Sequence, residues 1–189
     1  MNNLTATWGF QIKQDIYSGQ TEVVTDQPTE NLVDISFEAC NKDFIAIIGP
    51  VGCGKTTLFN AIMRELEIVN GDVKVNGTVS YVEQEPFITS DTVKGNILFG
   101  HHYDANKLDK VLDLCCLHED IKQLKDGIET KIGEKGINIS GGQKARISLA
   151  RAIYSGSDIY LLDDPLSALD QRVGTEIYRK CIRGHLKDK

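Results

Sequence analysis

Gly49-Pro50-Val51-Gly52-Cys53-Gly54-Lys55-Thr56 is the stretch on which the reading of this chain turns. It fits the pattern G-x-x-x-x-G-K-[ST]. The residue types follow from what a phosphate chain needs. Glycines let backbone N–H groups turn inward around phosphate oxygens, and Gly49, Gly52, Cys53 and Gly54 supply that cradle. A helix starting at the end of the loop points its positive end at the same anion. Lys55 is then placed to reach the β and γ phosphates, and the Thr56 hydroxyl to ligate magnesium. Thr57 is placed to bond the α phosphate. The expected cofactors are ATP and Mg2+. A glycine-rich turn that merely starts a helix is the competing structural account.

The flanks argue against that account. Phe44 to Ile48 is a continuous apolar run, as expected of a strand buried on both faces. Lys55 to Glu67 carries Leu58, Ile62 and Leu66 on one helical face. Further upstream, Leu4 to Gln11 reads as a strand, 15–30 as a loop or long hairpin connection, and Leu32 to Glu38 as an alternating strand. Downstream, Asn76-Gly77 between Val73 and Val79 predicts a hairpin, with strand continuing to Val82. From Phe87 to Gly156 the pattern is helical. Asp104 is placed to cap a helix whose apolar face holds Leu108, Val111, Leu112 and Cys115. Ser140 to Ser155 reads as a second helix ending at Gly156, Ile159 to Leu162 as a buried strand, and Gly174 to Arg183 as helix.

Composition bounds the partners. The 189 residues fit one domain of ordinary size, or one lacking a piece. With 41% hydrophobic residues the chain has the means to bury a core. Lys and Arg total 21 against 27 Asp and Glu, so net charge is −6 and nucleic acid is not expected as a main partner. No apolar run approaches the roughly 20 residues that span a bilayer, and no signal peptide is read at the start. Cys40, Cys53, Cys115, Cys116 and Cys181 form no CxxC pair, so neither zinc nor a disulfide framework is expected. Cys53 is distinguished by its place in the loop, where thiolates are favoured.

Asn106-Lys107-Leu108-Asp109 fits the guanine-reading NKxD pattern of GTPases. That pattern should follow a buried strand. Here it lies in a predicted helix, and no D-x-x-G switch occurs, so the match reads as accidental.

Two further segments carry chemistry. Ile159 to Leu162 ends in Asp163, a carboxylate placed to hold a magnesium-bound water beside a triphosphate. A turn aspartate before Pro165 is the structural alternative. Ser140-Gly141-Gly142-Gln143 has the form of a capping box. Capping alone does not explain its glycines, which cost roughly 1 kcal/mol each relative to alanine in a helix. They leave N–H groups bare, so this helix start could meet a second phosphate, held by another subunit or domain.

On these residues the chain resembles the nucleotide-binding domain of ABC transporters. Ile139-Ser140-Gly141-Gly142-Gln143 is similar to the family's signature motif, with Ile for the usual Leu. Gln84 resembles the Q-loop glutamine, which implies a magnesium ligand and a link to the membrane domain. Ser167-Ala168-Leu169-Asp170 resembles the D-loop, and Trp8 sits where the family places an aromatic on adenine. Trp8 in the core is the alternative reading. The stretches 92–100, 133–138 and 160–168 resemble the C subfamily, the multidrug-resistance-associated exporters, and most of all its first nucleotide-binding domain.

The resemblance implies an α/β fold: a RecA-like P-loop NTPase core with an ABC-type antiparallel β subdomain and a helical subdomain, truncated at its C-terminus. Residues 1–86 would form the β subdomain and P-loop core, 87–156 the helical subdomain, and 157–189 the core strand, D-loop and following helix. It implies a head-to-tail partner domain, transmembrane domains outside this chain, and a place on the cytoplasmic face of a membrane. The region around Gln84 and Phe87 would touch the membrane domain. Catalytic roles fall to Lys55, Gln84 and Asp164, and metal ligation to Thr56, Gln84 and Asp163. Asp164 stands where most of the family has a Glu general base, which implies weak hydrolysis at this chain's own site. His185 is read as a helix-end surface residue, not the family's switch histidine. A regulatory ATP clamp of a channel is the alternative function.

Overall fold

The computed structural model describes residues 2–7, 12–14, 21–23, 32–133 and 138–189, which fall into two units. The first unit spans 1–40 and 45–76. Its strands β1 (Asn2–Thr7), β4 (Leu32–Ile35) and β5 (Glu67–Asp72) form an antiparallel sheet in the order β4-β1-β5. Strands β2 (Ile12–Gln14) and β3 (Thr21–Val23) form a separate antiparallel pair. Helix α1 (Lys55–Ile62) packs Leu58 and Ala61 with Leu32, Leu66 and Val73.

Several expectations change in this unit. Gln11 and Trp8 lie outside the described residues. The strand expected over 32–38 stops at Ile35, because Asp34 turns to φ 54° and breaks the pleat. Leu32 is therefore buried and Val33 exposed, against the alternation. Helix α1 ends at Ile62 rather than Glu67, since Arg64 has φ 61° and no helix continues through a left-handed residue. Leu66 still reaches the core it was expected to reach.

Phe44 to Ile48 is the largest correction. It forms no strand. Phe44 is 54% and Ile48 92% exposed, and Ile47 alone of the run packs against the core of the first unit. An apolar run states what a strand would bury. It does not supply the neighbouring strand whose backbone must bond it. The Asn76-Gly77 hairpin also fails to form. β5 pairs with β1, and the strand beyond Gly77 pairs with a distant one instead.

The second unit spans 41–44 and 77–189. Strands β6 (Val79–Val82) and β7 (Ile159–Leu162) run parallel, with Val79 opposite Ile159 and Val82 opposite Leu162. Parallel neighbours need a long crossover. It is supplied by α2 (Val93–Leu98), α3 (Ala105–Leu114), α4 (His118–Gln123) and α5 (Gly141–Ser155). The predicted face of α3 is buried as expected, and Asp104 caps it by accepting from the Lys107 N–H at 3.0 Å. The accidental NKxD string lies in this helix, with Leu108 in the core and Lys107 over the Tyr154 ring.

Helix α5 is the centre of this unit. Ala145, Ile147, Leu149, Ala150, Ala152, Ile153 and Tyr154 are buried. Fully burying such a large apolar side chain stabilises by roughly 1.5–3 kcal/mol. The Tyr154 hydroxyl donates to the His102 carbonyl at 2.7 Å and accepts from the Asp104 N–H at 2.9 Å, so its burial leaves no orphan. Helix α6 (Gln171–Ile177) and a π turn (Tyr178–Ile182) close the chain, as the helical reading of 174–183 expects. His185 begins a final short turn and is half-buried, and that burial pushes its imidazole below the usual range. None of the five cysteines forms a disulfide among the described residues.

Candidate nucleotide site

The loop before α1 turns on its glycines. Gly52 and Gly54 take φ of 82° and 93°, the left-handed region that favours glycine. Gly54 is the N-cap of α1, and no side chain caps that helix start. Gly49 is required for a different reason: a Cβ there would lie 2.5 Å from the Cys53 sulfur. Cys53 thus packs across the loop, and its N–H closes a turn onto the Pro50 carbonyl at 3.3 Å.

Lys55 folds back over the same loop. Its Nζ donates to the carbonyls of Gly49 and Pro50, both at 2.9 Å, and lies 3.8 Å from Cys53 Sγ. These neutral acceptors hold the ammonium at the mouth of the loop, where phosphate oxygens would be stronger acceptors. Thr56 is exposed and Thr57 half-buried in the first turn of α1. An uncapped helix start, left-handed glycines and a cation at the loop fit a polyphosphate.

In the second unit, Gln84 and Asp163 leave the same edge. Val82 pairs with Leu162, so both residues follow the carboxyl ends of adjacent parallel strands, where ligands of α/β sheets gather. Asp163 is only 5% exposed. Its N–H donates to the Val82 carbonyl at 2.9 Å, and the Tyr81 hydroxyl donates to its Oδ2 at 3.3 Å. Gln84 is exposed. Gln84 and Asp163 offer an amide oxygen and a carboxylate, hard donors of the kind that suits magnesium.

Asp164 is exposed with φ 48°. Its carbonyl accepts from the Ser167 hydroxyl at 2.9 Å and the Ser167 N–H at 3.3 Å. Aspartate tolerates this left-handed geometry better than most residues. The turn therefore gives Asp164 a structural role beside any chemical one.

The Ser140 box forms as predicted. Ser140 Oγ accepts from the Gln143 N–H at 3.2 Å, and Gln143 Oε1 accepts from the Ser140 N–H at 2.9 Å. Its two glycines differ. A Cβ on Gly142 would approach the Ala168 carbonyl to 3.1 Å, so packing explains that glycine. A Cβ on Gly141 would meet no described atom within 4 Å, and its φ is ordinary. Nothing in the described part of this chain requires Gly141 to be glycine.

Sequence reading missed Asp120 and Arg151. Asp120 lies under the Ser140 box, accepting from Gln143 Nε2 at 2.9 Å and from Arg146 Nη2 at 3.0 Å. Arg151, on α5, donates to the carbonyls of Phe87 at 2.9 Å and Asn96 at 2.8 Å, and stacks over the Phe99 ring at 4.5 Å. Both pairings join residues far apart in the chain. No local pattern signals them.

The chain matches the family model described as "ABC transporter" over residues 32–167. It is 42% identical over 189 residues to ABC transporter C family member 3 of Dictyostelium discoideum, covering 100% of this chain and 12% of that protein. It is 45% identical over 191 residues to multidrug resistance protein mrp-7 of Caenorhabditis elegans, covering 100% of this chain and 12% of that one. Against human ATP-binding cassette sub-family C member 2 it is 48% identical over 158 residues, 82% of this chain and 10% of the relative. The chain thus spans about an eighth of these proteins. No helix among the described residues is long and apolar enough to cross a membrane.

Proposed function

The chain belongs to the ABC transporter family, and from that membership we propose that it is the first of two nucleotide-binding domains in a C-subfamily exporter. Two helix starts carry the reading. One follows a phosphate loop. The other, at Ser140, presents a glycine that no packing in this chain's described residues explains. A domain with its own phosphate loop uses a second anion-binding helix start most simply on a partner's nucleotide.

In this reading the domain pairs head to tail with a second nucleotide-binding domain. Lys55 binds the β and γ phosphates, Thr57 the α phosphate, and Trp8 stacks on the adenine. Thr56, Gln84 and Asp163 hold magnesium, which when bound neutralises charge developing on the phosphate oxygens. Ser140, Gly141, Gly142 and Gln143 complete the partner's site. Residues 1–86 form the β subdomain and P-loop core, 87–156 the helical subdomain, and 157–189 the core strand, D-loop and following helix. Transmembrane domains dock near Gln84, where Phe87 and Phe99 are exposed around the Arg151 side chain. In this reading the domain lies on the cytoplasmic face of the membrane, where closure and reopening of the pair would move the membrane helices.

Asp164 would orient or deprotonate the attacking water at this chain's own loop. Its carboxylate sits one methylene short of the Glu most of the family has there, and a positioning error near 1 Å is costly. Asp164→Glu is therefore expected to raise turnover at this loop by about tenfold in the paired complex, within the range that general base catalysis supplies. No increase in phosphate release would remove the shortened-base argument.

The shared-site reading is tested by radiolabelled ATP binding and turnover, with and without the partner domain. Binding is expected in both cases and turnover in the pair alone. Equal turnover by the unpaired chain would overturn it.

A further inference from the structure

A capping box needs only one acceptor atom at its third helical position. Glu and Gln both supply it, and Glu adds a favourable charge at the positive helix end. This chain has Gln143, and the surroundings explain why. Gln143 Oε1 accepts from the Ser140 N–H, and the remaining amide group Nε2 donates to Asp120 Oδ1 at 2.9 Å. A glutamate at 143 would set two carboxylates against each other.

Asp120 is itself fixed from the other side. Arg146 meets it with both terminal nitrogens, Nη1 on Oδ2 and Nη2 on Oδ1. That fork also donates from Nη1 to the Cys116 carbonyl at 2.6 Å and from Nε to the Gly142 carbonyl at 3.3 Å. The Asp120 and Arg146 side chains are only 20% and 12% exposed, so this pair is shielded from the screening that weakens surface pairs. Asp120 therefore touches the helix start twice. It holds the side chain that caps Ser140, and it holds the arginine that bonds the Gly142 carbonyl. It has no direct contact with Ser140 or Gly141 among the described interactions.

We infer that Asp120 is a positioning residue for the Ser140–Gln143 helix start, setting its first turn against the nucleotide of the partner domain. The inference rests on the shared-site reading above. Asp120 lies in α4, 26 residues from Arg146, and acts through Gln143 and Arg146 rather than on the phosphate. A misplacement of the first turn would lower the rate at the partner's loop and leave this chain's own loop untouched.

The test is Asp120→Asn in the chain paired with its partner domain, beside Ser140→Ala and the unsubstituted pair. Asparagine keeps the size and one acceptor and loses the charge that aligns Arg146. Turnover is expected to show kcat lower by about tenfold, as sub-ångström misplacement allows, with KM for ATP changed less than about twofold. Fluorescent-ATP affinity at this chain's own loop should stay unchanged. A merely structural role would instead lower the melting temperature and own-loop affinity together, with kcat following the folded fraction, and that pattern overturns the inference. Unchanged kcat in Asp120→Asn, while Ser140→Ala slows the pair, overturns it and leaves the shared site standing. Unchanged kcat in Ser140→Ala overturns both.

Discussion

Lys55→Ala is expected to weaken ATP binding at this chain's loop by about a hundredfold, from the loss of two charge-assisted contacts at roughly 1.5 kcal/mol each. The reason is visible in the loop itself. The ammonium reaches two loop carbonyls at 2.9 Å, so the side chain is held at the mouth of the loop. Its removal takes away the loop's cation and leaves the backbone cradle. The fold should not suffer much, because Lys55 is half-exposed and, among the described residues, its ammonium bonds only neighbours within six positions. Titration with fluorescent ATP, beside a melting curve, separates the two effects. Affinity within about twofold of the unsubstituted chain would remove Lys55 from the site.

Gly141→Asp has the opposite profile. Residue 141 is the first of α5, where a carboxylate interacts favourably with the helix dipole by about 0.3–1 kcal/mol. A Cβ at 141 meets no described atom within 4 Å, and the φ there carries no strain. The melting temperature of this chain is therefore expected to hold or rise, and its own-loop affinity to stay unchanged. Turnover of the pair is expected to fall by about a hundredfold, the scale of losing one preorganised donor to developing charge. The new carboxylate would also repel the partner's phosphate. A pair that turns over normally with Asp at 141 would mean that this helix start meets no nucleotide.

The sequence was most legible where structure is local. The Asp104 cap, the buried face of α3, the Ser140 box and the Gly156 stop each depend on residues within a turn or two. They formed as read. Strand pairing was not legible in the same way. Val79 to Val82 finds its partner 80 residues on, across four helices, and nothing within the string names that partner. The same ambiguity holds for Phe44 to Ile48, where apolar composition predicts a strand and the described residues supply no pairing backbone. Within the candidate site, motif spacing picked out Lys55, Asp163 and Ser140, and the family resemblance picked out Gln84. Spacing could not separate Gly142, which packing demands, from Gly141, which packing does not. Nor could it find Asp120, whose link to Gln143 exists only in three dimensions.

One comparison reaches the centre of the account, that this domain holds ATP at its own loop and completes the working site of another. It is the steady-state phosphate release of the paired complex, measured with Lys55→Ala and with Gly141→Asp in this chain. The account predicts that Gly141→Asp nearly abolishes release, while Lys55→Ala, which empties the weaker site, leaves a substantial fraction. Equal losses, or the greater loss from Lys55→Ala, would contradict it.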